Sequence, residues 1–289
     1  LITGRVLIAW PVLAAMLLMF GTAGFALTLG SDPIGERERL IEDLIPLWRL
    51  FALASLVLSP LLLLAITAGM AQTSWREAIP LMPEVLRATH AGWVWEWRLI
   101  VTAALVIVTL APMRRIVAAW SMLFASGALL MLESLTSHAI DISVAAVGID
   151  CAHEMAAALW LGAVFGLWFG AGREKLGIDW VEYAAPWVSR LAGWTVTALI
   201  LSGLFIAYHQ LAGDPRRIIY AVYGRTLMVK LGAASVVLLI GAYNRFVLMP
   251  ELDGPDARER LLRNVGIESL LLCGVAGLAT LLANTPPAH

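Results

Sequence analysis

Between Leu135 and Gly170 the chain reads LTSHAIDISVAAVGIDCAHEMAAALWLGAVFGLWFG. His138 closes one apolar segment, and Asp150, Cys151 and His153 open the next. Ionisable and metal-capable side chains at the mouth of apolar segments cost free energy to keep and mark ion or substrate paths. Histidines at such a boundary serve equally as solvated polar residues, so spacing has to separate the two readings.

On a helix, residues three and four apart share a face. Asp150 and His153 are therefore expected together, the carboxylate accepting the second N–H of the imidazole, as partners of metal-bound histidines do. Cys151 and Met155 share a different face and join His153 around one ion only if the helix begins after Cys151. In the preceding segment Met131, Ser134 and His138 fall on one stripe, with Met131 about 10 Å deeper. Imidazole, thiolate and thioether ligands suit copper, Cu(I) above all, better than magnesium or calcium, and zinc also fits a histidine-rich mouth. Met131 and Met155 serve equally as apolar filler. Glu133 is costly in an apolar run unless it lines a path, carries a proton or is neutralised by an arginine from a neighbouring helix.

The elements that must position these residues are membrane spans. The chain is 60% hydrophobic and 14% charged, whereas soluble domains are about a quarter charged. We expect an all-α, polytopic membrane helix bundle forming a single transmembrane domain over 1–289, with the lipid bilayer as its solvent. A span needs about 20 apolar residues, and eight candidates appear: Val6–Leu29, Leu47–Met70, Val94–Ala111, Ile116–Ser137, Val147–Gly170, Leu191–Leu211, Thr226–Val247 and Val265–Ala283. The first exceeds a signal-peptide core and is kept as a span. SDPIGERERLIED (31–43) and PELDGPDARER (250–260) read as charged loops, and 71–93 as a proline-broken segment along the interface. The net charge of −1 argues against nucleic acid as a partner. Cys151 and Cys273 fall at different depths and are expected as free thiols. Leu1 at the start leads to the expectation of preceding residues.

Lys and Arg number twelve in the odd-numbered loops and eight on the opposite side, which favours cytoplasmic odd loops and both termini outside. The three arginines of 212–225 run against this. Alternation of the spans then puts His90, His138, His153, His209 and His289 all on one side. Ala158, Gly162, Gly166 and Gly170 form a small-residue ridge suited to close helix packing. Trp93, Trp95 and Trp97 read as membrane anchors, and Lys230 as a snorkelling cation.

No GxxxxGK[ST] is present, His153-Glu154 lacks the second histidine of HExxH, and no CxxCH occurs, which removes P-loop ATPases, that class of metalloprotease and c-type haem. The pieces LTSHA (135–139), Asp150-x-x-His153 with AAALWLG (156–162), SGLFIAY (202–208), YGRTLMVKL (223–231) and NRFVLMP (244–250) recur in order over about 135–285. HAGWVWEWR (90–98) extends them more loosely. In these the chain resembles the copper resistance protein D family of bacterial inner-membrane proteins. The resemblance implies about eight spans, copper ion (Cu(I) or Cu(II)) as cargo, and uptake alongside a small periplasmic copper-binding protein. It places His138 and His153 at the family's histidine positions. Cys151, Met155, His90 and His209 are added from position alone.

Three functions stay open on the residues. A copper permease would receive the ion at His138 and His153, with Asp150 behind, and pass it inward along groups such as Met131. Histidines on adjacent helices at one depth also clamp haem iron, as in a b-haem electron-transfer or quinone oxidoreductase. A membrane scaffold or sensor would need little beyond the small-residue ridge.

Overall fold

The computed structural model describes residues 2–30, 35–173, 176, 179–252 and 254–285. Among these, eight helices are long and apolar enough to cross a membrane: α1 (Ile2–Thr28), α2 (Glu36–Met70), α3 (His90–Leu110), α4 (Arg115–Ser134), α5 (Val144–Ala171), α6 (Trp180–Gln210), α7 (Val222–Tyr243) and α8 (Pro255–Ala283). The protein is an all-α polytopic bundle with no strand among the described residues. His289, Lys175 and the first part of the 31–43 loop lie outside them.

Three helices begin well before their apolar runs, all at the end of the bundle opposite the histidines. Most of the expected 31–43 loop is the first part of α2. Glu36 and Glu38 sit in its first turn, where carboxylates complement the helix dipole, and Leu40, Ile41 and Leu44 are buried. Arg115 of α4 then bridges to Glu42 at 2.7 Å and Glu38 at 3.5 Å. Likewise α6 starts at Trp180, burying Trp180, Val181 and Ala184, and α8 takes up the expected 250–260 loop from Pro255, a residue suited to the first helical position. Charged residues on one face and apolar ones on the other make these segments amphipathic helices rather than loops.

The core sits where α1 and α5 cross. A Cβ on Gly162 would lie 2.0 Å from the Gly21 carbonyl carbon, and one on Gly21 would lie 1.8 Å from the Ala158 oxygen. Glycine is required at both positions because backbone meets backbone. Further along the same ridge, Gly166 receives Phe25 and Gly170 receives Trp180. α2, α4 and α8 pack around α1; α6 runs along α5 and α7 along α8. The outward faces of α6 and α7 carry Trp194, Leu201, Leu204 and Leu239, apolar side chains suited to lipid. The 71–93 segment forms short helices at Trp75–Ala78 and Met82–Ala88.

The tryptophans divide. Trp93 and Trp97 are half-exposed, as anchors should be, but Trp95 is buried among Leu62 and Leu63. Trp48 donates to Thr22 Oγ1 at 2.8 Å and Trp10 to the Cys273 carbonyl at 2.8 Å. Indole N–H groups here tie helices together.

Candidate functional site

His90, His138, His153 and His209 all stand at one end of the bundle, each near the end of a different helix or in the turn that follows. Thr89 caps α3 by accepting from Gly92 N at 2.9 Å. This places the His90 ring with Nε2 3.3 Å from the Leu135 carbonyl and its plane stacked on Trp93. His138 opens the 3-10 turn His138–Asp141, which Ser137 caps through Ala139 N. His209 packs on Phe205 and Tyr208, ring centroids 4.5 and 5.5 Å away.

His153 is the most firmly oriented. Its Nδ1 lies 2.9 Å from Ser202 Oγ of α6, and the Leu199 carbonyl lies within hydrogen-bond reach of the ring. The Ser202 hydroxyl already donates to the Ala198 carbonyl at 2.6 Å, so toward the ring its oxygen accepts. The proton therefore belongs on Nδ1, and Nε2 keeps its lone pair. Gly203 leaves room for the ring, since a Cβ there would come within 3.4 Å of Cε1.

Several expected groupings are absent. Ser143 caps α5 by accepting from Ala146 N at 3.1 Å, and the helix begins at Val144. Cys151 is thus helical and turned from His153. It is buried and free, beside Ser134; Cys273 is also free. Asp150 does not orient His153 either: its neighbours are the Ser137 and Ser134 hydroxyls, and one carboxyl oxygen is buried without a hydrogen bond. The stripe of Met131, Ser134 and His138 fails because α4 ends at Ser134. Met131 is 40% exposed on the outer face while Ser134 is buried. The Met155 methyl lies 3.6 Å from where a Cβ on Gly127 would stand, a packing position against α4. Among the described residues no three His, Cys, Asp or Glu side chains are grouped so as to hold a metal ion.

Beneath the histidines lies a buried charge cluster that the sequence reading resolved only in part. Glu133 pairs with Arg98 of α3, so neutralisation by a neighbouring arginine is the alternative realised. Arg98 is buried, with its guanidinium 4.8 Å from the Trp95 ring centroid and Nη2 3.8 Å from Met16 Sδ. Glu154, one residue beyond His153, feels Glu133, Asp150, Arg98 and Lys230, and its Oε2 is buried with no hydrogen-bond partner. Lys230 does not snorkel: it faces Asp150, Glu154 and His153. Arg5 feels Glu133, and Tyr223 feels Asp150. Three carboxylates (Glu133, Asp150, Glu154) are thus matched by three cations (Arg5, Arg98, Lys230). An acid inside an apolar helix is a signal available in any sequence, and Glu154 carries it between His153 and Met155.

Residues 2–143 match the family model described as Copper resistance protein D-like, N-terminal domain, and residues 183–282 match the one described as Copper resistance protein D. No curated protein and no solved structure matches the chain.

Proposed function

Since the chain belongs to the copper resistance protein D family and is a copper-handling membrane protein, we propose that it carries copper ions from the periplasm across the bacterial inner membrane. The ion is received at the histidine-bearing end by His138 and His153, with Asp150 and Glu154 beneath to balance its charge. The observation that carries this reading is the fixed His153 ring. With Nδ1 committed to Ser202, Nε2 is left as a neutral donor, the form in which imidazole binds copper.

The buried carboxylates give an arriving cation what the bilayer does not, since Glu154 and Asp150 each hold an oxygen without a hydrogen bond. His90 borders the same entrance through Leu135, and Cys151 supplies a sulfur behind it. The whole chain acts as one transmembrane domain. The histidine end, with both termini, faces the periplasm, where a small copper-binding protein delivers the ion.

The test is copper accumulation in cells, measured by elemental analysis, with His138→Ala, His153→Ala and the double variant at matched protein levels. Accumulation should fall in each single variant and reach background in the double. Unchanged accumulation in the double variant overturns the assignment. A Soret band in the purified protein would move the same histidines to haem iron.

A further inference from the structure

About midway along α8, in a run otherwise made of Val, Ile, Leu, Gly and Ser, Glu268 is 3% exposed. Its Oε1 accepts from Trp160 Nε1 of α5 at 3.1 Å, and its Oε2 accepts from Asn244 Nδ2 at 3.2 Å. One turn earlier on α8, Asn264 Nδ2 donates to Asn244 Oδ1 at 3.0 Å. Gly241 allows this approach, for a Cβ there would lie 3.3 Å from Oε1. Asn244 opens a π-helical turn, Asn244–Leu248, at the end of α7, the kind of irregularity often found at functional sites.

Several charged groups on the elements around Glu268 are exposed or engaged elsewhere. On α7, Arg245 donates to the Ser189 carbonyl of α6 at 2.9 Å, and Lys230 faces the histidine-end cluster. On α8, Glu259 and Arg263 are exposed. On α5, Asp150 and Glu154 belong to the other cluster, as does Arg5 of α1. Glu268 is therefore held by neutral N–H donors alone. A carboxyl at this depth needs a counter-charge or a proton, and its described neighbours supply no counter-charge.

On the transport reading above, we propose that Glu268 is a proton-carrying station within the membrane, loaded and released as copper passes. The carboxylate takes one proton from water on one side, becomes the neutral acid, and returns that proton to the other side. The amides are suited to both states. The carboxylate uses Asn244 Nδ2 as donor, as observed. The acid needs an acceptor for its O–H, which a half-turn of the Asn244 amide provides in Oδ1, with Asn264 inverting in step. Asn244 and Trp160 are positioning residues.

The test uses the full-length protein in lipid vesicles. Infrared difference spectra should show the carbonyl stretch of a protonated carboxylic acid that titrates with pH, responds to added copper and is missing in Glu268→Gln. For one proton exchanged per ion, a gradient of one pH unit should change accumulated copper by about tenfold in the parent protein and leave Glu268→Gln unaffected. Asn244→Leu, which keeps Glu268 but removes the reversible amide, should shift the band and weaken the gradient response. A band unchanged in Glu268→Gln, a band that ignores copper, or a Glu268→Gln protein that follows the gradient like the parent would each overturn the proposal. Copper retained by the His138→Ala/His153→Ala double variant would instead count against the entrance alone, because the Glu268 band is read independently of those residues.

Discussion

At the histidine end three carboxylates face three cations; deeper in the bundle, Glu268 of α8 meets, among the described residues, indole and amide N–H groups and no cation. The first arrangement sets acids against bases, so that opposite charges can cancel within it. The second holds one ionisable group whose charge nothing described nearby matches. A balanced cluster can admit and release a cation with small rearrangement, whereas a lone carboxyl is better suited to gaining and losing a proton. On the proposed reading, the two regions divide cation entry from proton carriage.

Breaking the balance should cost most. Arg98→Ala leaves Glu133 without its partner, and we expect a loss of about 3 kcal/mol in stability, at the low end for a broken buried pair because the Glu133 side chain is 31% exposed. Thermal unfolding in detergent measures it. Arg98→Met with Glu133→Leu should recover most of the loss; failure to recover would mean that the charges do more than cancel. At the second region, Trp160→Phe removes one donor from Glu268 and should cost about 2 kcal/mol, with no effect on copper binding at the entrance. Ser202→Ala releases the His153 tautomer and should weaken copper binding about tenfold without changing the melting temperature, as read by equilibrium dialysis.

The smallest effect belongs to a carboxylate outside both regions. Hydrogen bonds from Thr73 and Ser74 hold the Glu77 carboxyl below its usual range. The cap it forms on the helix Trp75–Ala78 therefore stands in full above the ordinary carboxylate pKa and is lost as pH falls through the lowered value. Protection of the amides in that helix, taken relative to their intrinsic exchange rate at the same pH, should fall under acid and, in Glu77→Gln, already at neutral pH. The Glu268 band should be the same in both proteins.

Much of this was legible before any coordinates. Apolar run lengths show the eight spans, alternation puts the histidines at one end, and the four-residue spacing of Ala158, Gly162, Gly166 and Gly170 marks the face that meets Gly21. Helix ends were less legible, because the helical parts of the expected 31–43 and 250–260 loops, 36–43 and 255–260, read as charged loops until a core exists for their apolar faces. Partners were least legible. The spacing of Asp150 and His153 is right for a shared face, but spacing does not say that α4 stands opposite one and α6 opposite the other. Glu268 did carry a signal, an acid in an apolar run, yet nothing along the chain points from it to Trp160 and Asn244.

Glu154 and Trp160 lie six residues apart on α5, a rise of about 9 Å. Because α5 is wedged backbone to backbone against α1, that interval is a fixed ruler. On the proposed reading, the distance between the cation entrance and the proton-carrying carboxyl is set by this stretch of α5 rather than by the loops.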